Sequence, residues 1–399
     1  MNARIFALAL VACARPADNP TPVVAEVHRV PSVSPPSIPP PPARTLPVLP
    51  WVSTDGGGAG FLPREPGEST FFASGSFSSV SDVAGATRVA ADKPDKRFSL
   101  SIEPGLVCAL VPVLGPIHER VSIDLHLGGP LTHEVVSCLR SIRPPAFSFY
   151  VNERYDAPVS PVVVALLSDL QDVEALGMQN ASDGIARLLG ERTSSPDTIR
   201  SINMTMSTLT AEGIRALAQR KRLREIGLRG LRANRADDTG FAAFATLPDL
   251  ERLDLSYTAV TDDDVVALQR SKRLRWLSLE SSKVGDTGVA ALASLDALEH
   301  LGLDFTHVGD AGLEAIARLP KLKTLRLART RVTDRGVIAL GQMRTLQSIH
   351  FGLTSITDAA IASITWPALK EAGLPPTVSA HAVAAFQARH PNAHVHHER

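Results

Sequence analysis

Residues 274–297 read LRWLSLESSKVGDTGVAALASLDA, and residues 298–321 read LEHLGLDFTHVGDAGLEAIARLPK. The two lines superpose without a gap: Leu277 on Leu301, Leu279 on Leu303, Val284 on Val308, Asp286 on Asp310 and Gly288 on Gly312. Self-similarity at a fixed period marks a chain of stacked units, none of which can bury its own apolar face. Leu250, Leu274, Leu298, Leu322 and Leu346 carry the same 24-residue period. Three and five positions on come Leu253 and Leu255, Leu277 and Leu279, Leu301 and Leu303, Leu325 and Leu327, then Ile349 and Phe351. That alternation predicts a short strand with one buried face. Each unit continues with a hydroxyl (Thr258, Ser282, Thr306, Thr330, Thr354) and an aliphatic residue (Val260, Val284, Val308, Val332, Ile356). An aspartate follows (Asp262, Asp286, Asp310, Asp334, Asp358), and an apolar helical pattern such as Val289, Leu292 and Leu295 closes the unit.

Working outward, two earlier units start at Ile199 and Leu223, the second three residues longer around Arg232–Asp238. A partial unit from Leu369, with Leu374, reads as a closing cap. Upstream, Val173–Met178, Phe147–Phe149 and Val121–Leu125 read as degenerate units at spacings near 26. The pattern LxxLxLxxTxVTDxGVxxLxxL resembles the leucine-rich repeat family, in the short-helix form of cysteine-containing, F-box-associated and many bacterial repeats. The resemblance covers 199–390 and reaches back in weaker form to about residue 119. It implies an α/β solenoid: a leucine-rich repeat horseshoe with a parallel concave sheet and short convex helices. Strands about 4.8 Å apart, backed by wider helices, must curve. The hydroxyl residues are expected to bond the backbone of the adjacent turn. The aspartates are expected to cap the helices they start. Calcium ligation of the β-roll kind is set aside, because the period is 24 rather than nine, with one Asp per repeat.

The first residues read as an address. MNARIFALALVAC holds one Arg before an apolar run, Ile5 to Ala12, too short to span a bilayer, which needs about 20 residues. It fits the apolar core of a secretory signal. Leu10-Val11-Ala12-Cys13 resembles the bacterial lipobox, which implies cleavage before Cys13 and acylation of its sulfur; Ala14 in place of Asp implies the outer membrane. Several acyl chains, at about 0.8 kcal/mol per buried methylene, anchor stably where one does not. From Ala14 to Pro66 there are 14 of the 30 prolines, then Gly56-Gly57-Gly58 interrupts the run. Proline excludes helix and central strand. This stretch is expected to be an extended spacer with a contour of roughly 160 Å. The organisation is therefore a leader over 1–12, a Pro/Gly-rich disordered linker over 13–66, an N-terminal cap region over 67–118, degenerate repeats over 119–198, regular repeats with a C-terminal cap over 199–390, and a tail over 391–399.

Lys plus Arg equals Asp plus Glu at 41 each, and no basic excess exists to hold phosphates, so no nucleic acid partner is expected. His133-Glu134-Val135-Val136-Ser137 lacks the second histidine of a zinc-protease helix, and no Gly-x-Ser-x-Gly elbow occurs. Gly56 to Gly60 lacks the flanking strand and Gly-Lys-Ser/Thr of a phosphate cradle. His394, His396 and His397 read as a frayed tail in preference to a metal site. The reading is no enzyme, no cofactor and no metal. Cys108 and Cys138 form a disulfide or remain two thiols. They lie thirty residues apart, which matches no single repeat, so two buried thiols are favoured.

What remains is the concave wall, whose side chains alternate with the buried leucines. Arg252, Trp276, Glu280, His300, Asp304 and Arg326 fall on it, with Tyr257, Phe305 and Arg329 just past the strands. Aromatic residues and arginine are the usual interface anchors. Mixed charge points to a protein or peptide ligand on the concave face, with the membrane reached through Cys13. The function expected is a membrane-tethered interaction scaffold; the alternative is a secreted or intracellular effector, a substrate-recognition adaptor of the F-box-associated kind.

Overall fold

The computed structural model describes residues 71–77, 97–114, 121–125, 131–144, 146–150, 159–168, 173–191, 198–231, 238–362 and 364–397. The lipobox-like leader, Cys13 and the proline-rich linker lie outside the described residues.

Among the described residues, fourteen strands form one parallel sheet in strict chain order. They are β1 Phe71–Phe77, β2 Arg97–Ile102, β3 Val121–Leu125, β4 Ala146–Tyr150, β5 Ala175–Gln179, β6 Ser201–Asn203 and β7 Glu225–Gly227. Then come β8 Arg252–Asp254, β9 Trp276–Ser278, β10 His300–Gly302, β11 Thr324–Arg326, β12 Ser348–His350, β13 Glu371–Leu374 and β14 His394–His397. The register sets Leu253 beside Leu277, Leu277 beside Leu301, Leu301 beside Leu325 and Leu325 beside Ile349. All five are buried, so the apolar spine expected from the period exists. The stack is longer than the readable repeats. Residues 67–118, expected as a cap region, contribute β1, β2 and a helix Val107–Leu114. The expected tail contributes β14, paired to β13.

The hydroxyl positions behave as expected: Thr258, Thr306, Thr330 and Thr354 donate to the carbonyl three residues back at 2.6–2.8 Å. The aspartates do not cap their own helices. Asp262, Asp286, Asp310 and Asp334 are the first helical residues, one place past the N-cap, so their carboxylates cannot fold back onto the first amides. Each instead reaches the next repeat. Asp286 Oδ1 accepts from the amides of Gly309 (2.7 Å) and Gly312 (3.0 Å). Asp310 accepts from the amide and hydroxyl of Thr333, Asp334 from those of Thr357, and Asp358 from those of Ser379. This close approach explains a glycine: a Cβ on Gly312 would sit 2.7 Å from Asp286 Oδ1. Asp264 occupies the glycine place in its own repeat, and in the repeat before it Asp238 accepts the Gly240 amide locally. That repeat carries a 3-10 helix, Phe241–Thr246, and Asp264 Oδ1 accepts from the Thr239 hydroxyl at 2.6 Å.

Cys108 and Cys138 are disulfide-bonded, with Cα atoms 5.0 Å apart, which corrects the expectation of two thiols. They lie on consecutive helices, Val107–Leu114 and His133–Ile142. The strands pair Ile102 with Leu125, 23 positions on, while the cysteines are 30 apart. A longer connection after β3, and a place one turn further into the second helix, absorb the difference. At the other end the helix Ala380–Arg389 covers the last strands. Trp366 donates its indole N–H to Leu340 O and its amide to His390 Nε2, and both rings are buried. Gln387 closes the sheet edge: its Oε1 accepts the Val395 amide, and its Nε2 donates to Ala393 O. An open strand edge would otherwise invite pairing with another chain.

Candidate functional site

On the sheet face away from the helices, register turns sequence positions into rows. One row runs Glu225, Arg252, Trp276, His300 and Thr324. The next runs Gly227, Asp254, Ser278, Gly302 and Arg326. Each residue on a three-residue strand is thus held by two neighbouring backbones, and the rows are as rigid as the sheet.

In the first row the Arg252 guanidinium lies over the Trp276 ring, 5.1 Å from its centroid. Stacking of this kind leaves both groups half-buried and ordered for contact. His300 stands beside Trp276 on the next strand.

In the second row Gly302 leaves a notch. A Cβ there would come within 3.0 Å of both Ser278 Oγ and Glu280 Oε1. Arg326 reaches across it, with Nε 2.8 Å and Nη2 2.7 Å from Asp304 Oδ2 and Nε 3.4 Å from Glu280 Oε1. Asp304 is only 2% exposed; its Oδ1 accepts the Ala328 amide at 2.7 Å. It is therefore placed to hold Arg326. Burial pushes the Glu280 carboxyl above its ordinary value, against the opposing pull of Arg326. Burial raises Asp254 too, opposed by hydrogen bonds from Ser256, whose amide lies 2.9 Å away.

Flanking the strands, charges alternate between repeats. Glu299 takes Arg275 at 2.6 Å on one side and Lys323 at 2.6 Å on the other. Burial works against its ionisation, yet the hydrogen bonds from Lys323 and Arg275 outweigh it and hold Glu299 below its ordinary value.

The remaining sequence-predicted residues are set apart. Tyr257, Phe305 and Arg329 lie on the turn after their strands, each at positive φ (58°, 59° and 54°). Arg329 sits over the Phe305 ring at 5.2 Å, and Arg229 over Tyr257 at 4.6 Å. Sequence reasoning missed Met206 and Leu353 at the same turn position; the repeat spacing that found Phe305 was signal enough to find Leu353. Of the nine candidates, Arg252 with Trp276, Arg326 with Glu280 and Asp304, and Arg329 with Phe305 come together as pairs or a triad. His300 and Tyr257 join through neighbours.

Among the described residues no group of three His, Cys, Asp or Glu is placed to share a metal ion. No described helix is long and apolar enough to cross a membrane. The family model described as Leucine Rich repeat matches residues 246–268, 298–317 and 318–341. No curated protein matches the chain. Among solved structures, an internalin (inlF) from Listeria monocytogenes str. 4b F2365 is 16% identical, with a TM-score of 0.44 over 70% of this chain and 80% of that one. An internalin C2 (inlC2) from the same strain is 22% identical, with a TM-score of 0.41 over 55% of this chain and 87% of that one. Parallel strands in chain order, a stacked leucine spine and three matched repeats make this chain a leucine-rich-repeat solenoid.

Proposed function

We propose that the chain is a protein-recognition scaffold held at a bacterial outer membrane by an acylated Cys13 and a proline-rich stalk. One observation carries the recognition: the sheet face at β8–β10 presents Trp276 under Arg252, beside His300, on strands fixed from both sides. A rigid aromatic with a stacked guanidinium is the kind of group that dominates interface energies. Supporting the location, the Cys108–Cys138 bond belongs to an oxidising compartment, and disulfides are rare in the cytosol. That counts against an adaptor working beside a cytosolic ligase.

Two measurements test the halves separately. The mass of the mature chain from its producing cell reveals an N-terminal acylated Cys13; an intact Met1 removes the anchor. A photo-reactive residue at 276 should crosslink to a protein partner, while one at 287, on the helix Asp286–Leu292, should not. Equal yields at the two positions would defeat recognition by the sheet face.

A further inference from the structure

Past the strand face lies a rim built by the fold itself. From β6 to β12 the residue three places beyond the strand takes positive φ: Met206 58°, Gly230 72°, Tyr257 58°, Ser281 54°, Phe305 59°, Arg329 54° and Leu353 55°. The conformation is needed because its N–H donates to the next repeat, as Tyr257 does to Glu280 O (2.7 Å) and Phe305 to Ala328 O (2.7 Å). Glycine meets that need without steric cost, as at Gly230. A side chain there costs about 1 kcal/mol or more. Yet four of these positions carry large apolar groups that water reaches: Met206 43%, Tyr257 49%, Phe305 49% and Leu353 44%. Neither the backbone nor the core benefits from them.

Their spacing is regular. They stand on β6, β8, β10 and β12, with Gly230, Ser281 and Arg329 on the strands between. Two strand spacings give a pitch of about 9.6 Å. Cations stand beside them, and the adjoining carboxylates Glu280 and Asp304 are already engaged by Arg326. Arg229 and Arg329 lie over Tyr257 and Phe305, and Lys283 and Arg331 are exposed two residues past Ser281 and Arg329. The turns 257–260, 281–284, 305–308, 329–332 and 353–356 contain no Asp or Glu.

We propose that this rim docks an acidic, proline-rich segment of a partner protein in the polyproline II conformation, with an apolar side chain at every third residue. The proposal rests on the reading above that the partner is a protein. Polyproline II repeats every three residues over about 9.3 Å, so the same face returns at nearly the pitch of the rim. Seven residues of α-helix span about 10.5 Å and drift by about 20°. A β-strand turns its side chain to the opposite face after three residues. Carboxylates between the apolar residues would meet the four cations. Stacked nucleotides would also use Tyr257 and Phe305, but Met206 and Leu353 offer no stacking face.

The test uses the full chain and the triple variant Tyr257→Gly, Phe305→Gly, Leu353→Gly, which removes side chains while easing the backbone. The probe is a labelled Leu-Pro-Glu repeat peptide of about a dozen residues, roughly the length of the rim, followed by fluorescence anisotropy. Saturable, salt-sensitive binding to the wild type, weakened at least about tenfold in a triple variant of unchanged or higher melting temperature, is the expected result. Absent binding, or equal binding to both proteins, overturns the proposal. So does tighter binding of a heptad Leu/Glu helix, an oligouridylate or phosphatidylglycerol vesicles. Loss of the peptide in Trp276→Ala but not in the triple variant would return the site to the strand face. In that case, or if crosslinking at 276 persists while no peptide binds, the rim falls and protein recognition stands.

Discussion

From Asp262 to Ser379 each helix start is fastened to the next by a carboxylate, whereas the helices Val107–Leu114 and His133–Ile142 are fastened by a disulfide. The carboxylate ladder needs consecutive helix starts side by side. An aspartate at the first helical position must find an amide at the next helix start, which lies 23 residues on for Asp262, Asp286, Asp310 and Asp334 and 21 on for Asp358. It first appears at Asp183, which accepts the amide and hydroxyl of Thr210. Before that, connections vary in length, neither Val107–Leu114 nor Pro161–Ser168 has an acidic residue in its first turn, and Ser160 caps the helix after it locally. The regular repeats thus carry many weak inter-repeat ties, while the helices Val107–Leu114 and His133–Ile142 carry one strong covalent one.

The comparison breaks most readily at the disulfide. Cys138→Ala should cost the N-terminal repeats about 3 kcal/mol. Hydrogen exchange should show residues 97–142 opening early while β8–β12 keep their protection; equal loosening of both would mean the bond holds nothing particular. Next in size is Asp286→Ala, which leaves the amides of Gly309 and Gly312 without their acceptor. Removing a carboxylate that satisfies two backbone donors should cost about 2 kcal/mol by urea denaturation. A smaller effect sharpens the same point. Gly312→Ala should cost about 1 kcal/mol in the wild type through crowding against Asp286 Oδ1, and less when Asp286 is already alanine. An additive double mutant would show that the glycine is there for another reason.

These fastenings also explain how much was legible in the sequence. Leu253, Leu277, Leu301 and Leu325 fix the spine because a strict period leaves one way to stack them. Trp276 and Arg252 were legible as outward neighbours for the same reason. The direction of the aspartates was not. A spacing within one unit cannot say whether a carboxylate serves its own helix or the next, and only its place after the N-cap decides. The disulfide was hidden because equal spacing is the only proximity that a repeat pattern encodes, and the two cysteines sit a turn apart in their helices. β1 and β14 escaped because FFASGSF and HVHH hold no leucine in the repeat position. Met206 and Leu353 escaped because aromatic residues and arginine were sought at that turn, although the same spacing places all of them outward.

The smallest expected effects separate two kinds of buried charge by the sign of their response to pH. Asp254 and Glu280 carry raised values in the fold, so below neutrality the folded chain takes up their protons before the unfolded chain does. Their ionised forms weaken the fold at neutral pH, and that weakness is relieved as pH falls from the raised values toward the ordinary carboxylate range. Glu299 is the reverse: its value is lowered, so its contribution is complete above the unfolded value and is lost as pH falls through the folded one. Asp254→Asn keeps an acceptor for the Ser256 amide and removes the charge. It should raise the melting temperature at pH 7 by about 1–3 °C, with the gain shrinking on acidification. Glu299→Gln should lower stability at pH 7 by about 0.5–1 kcal/mol, with the deficit vanishing at acid pH. Two melting profiles of the same slope would show that the outward face does not distinguish a carboxylate held in an ion ladder from one held beneath Ser256.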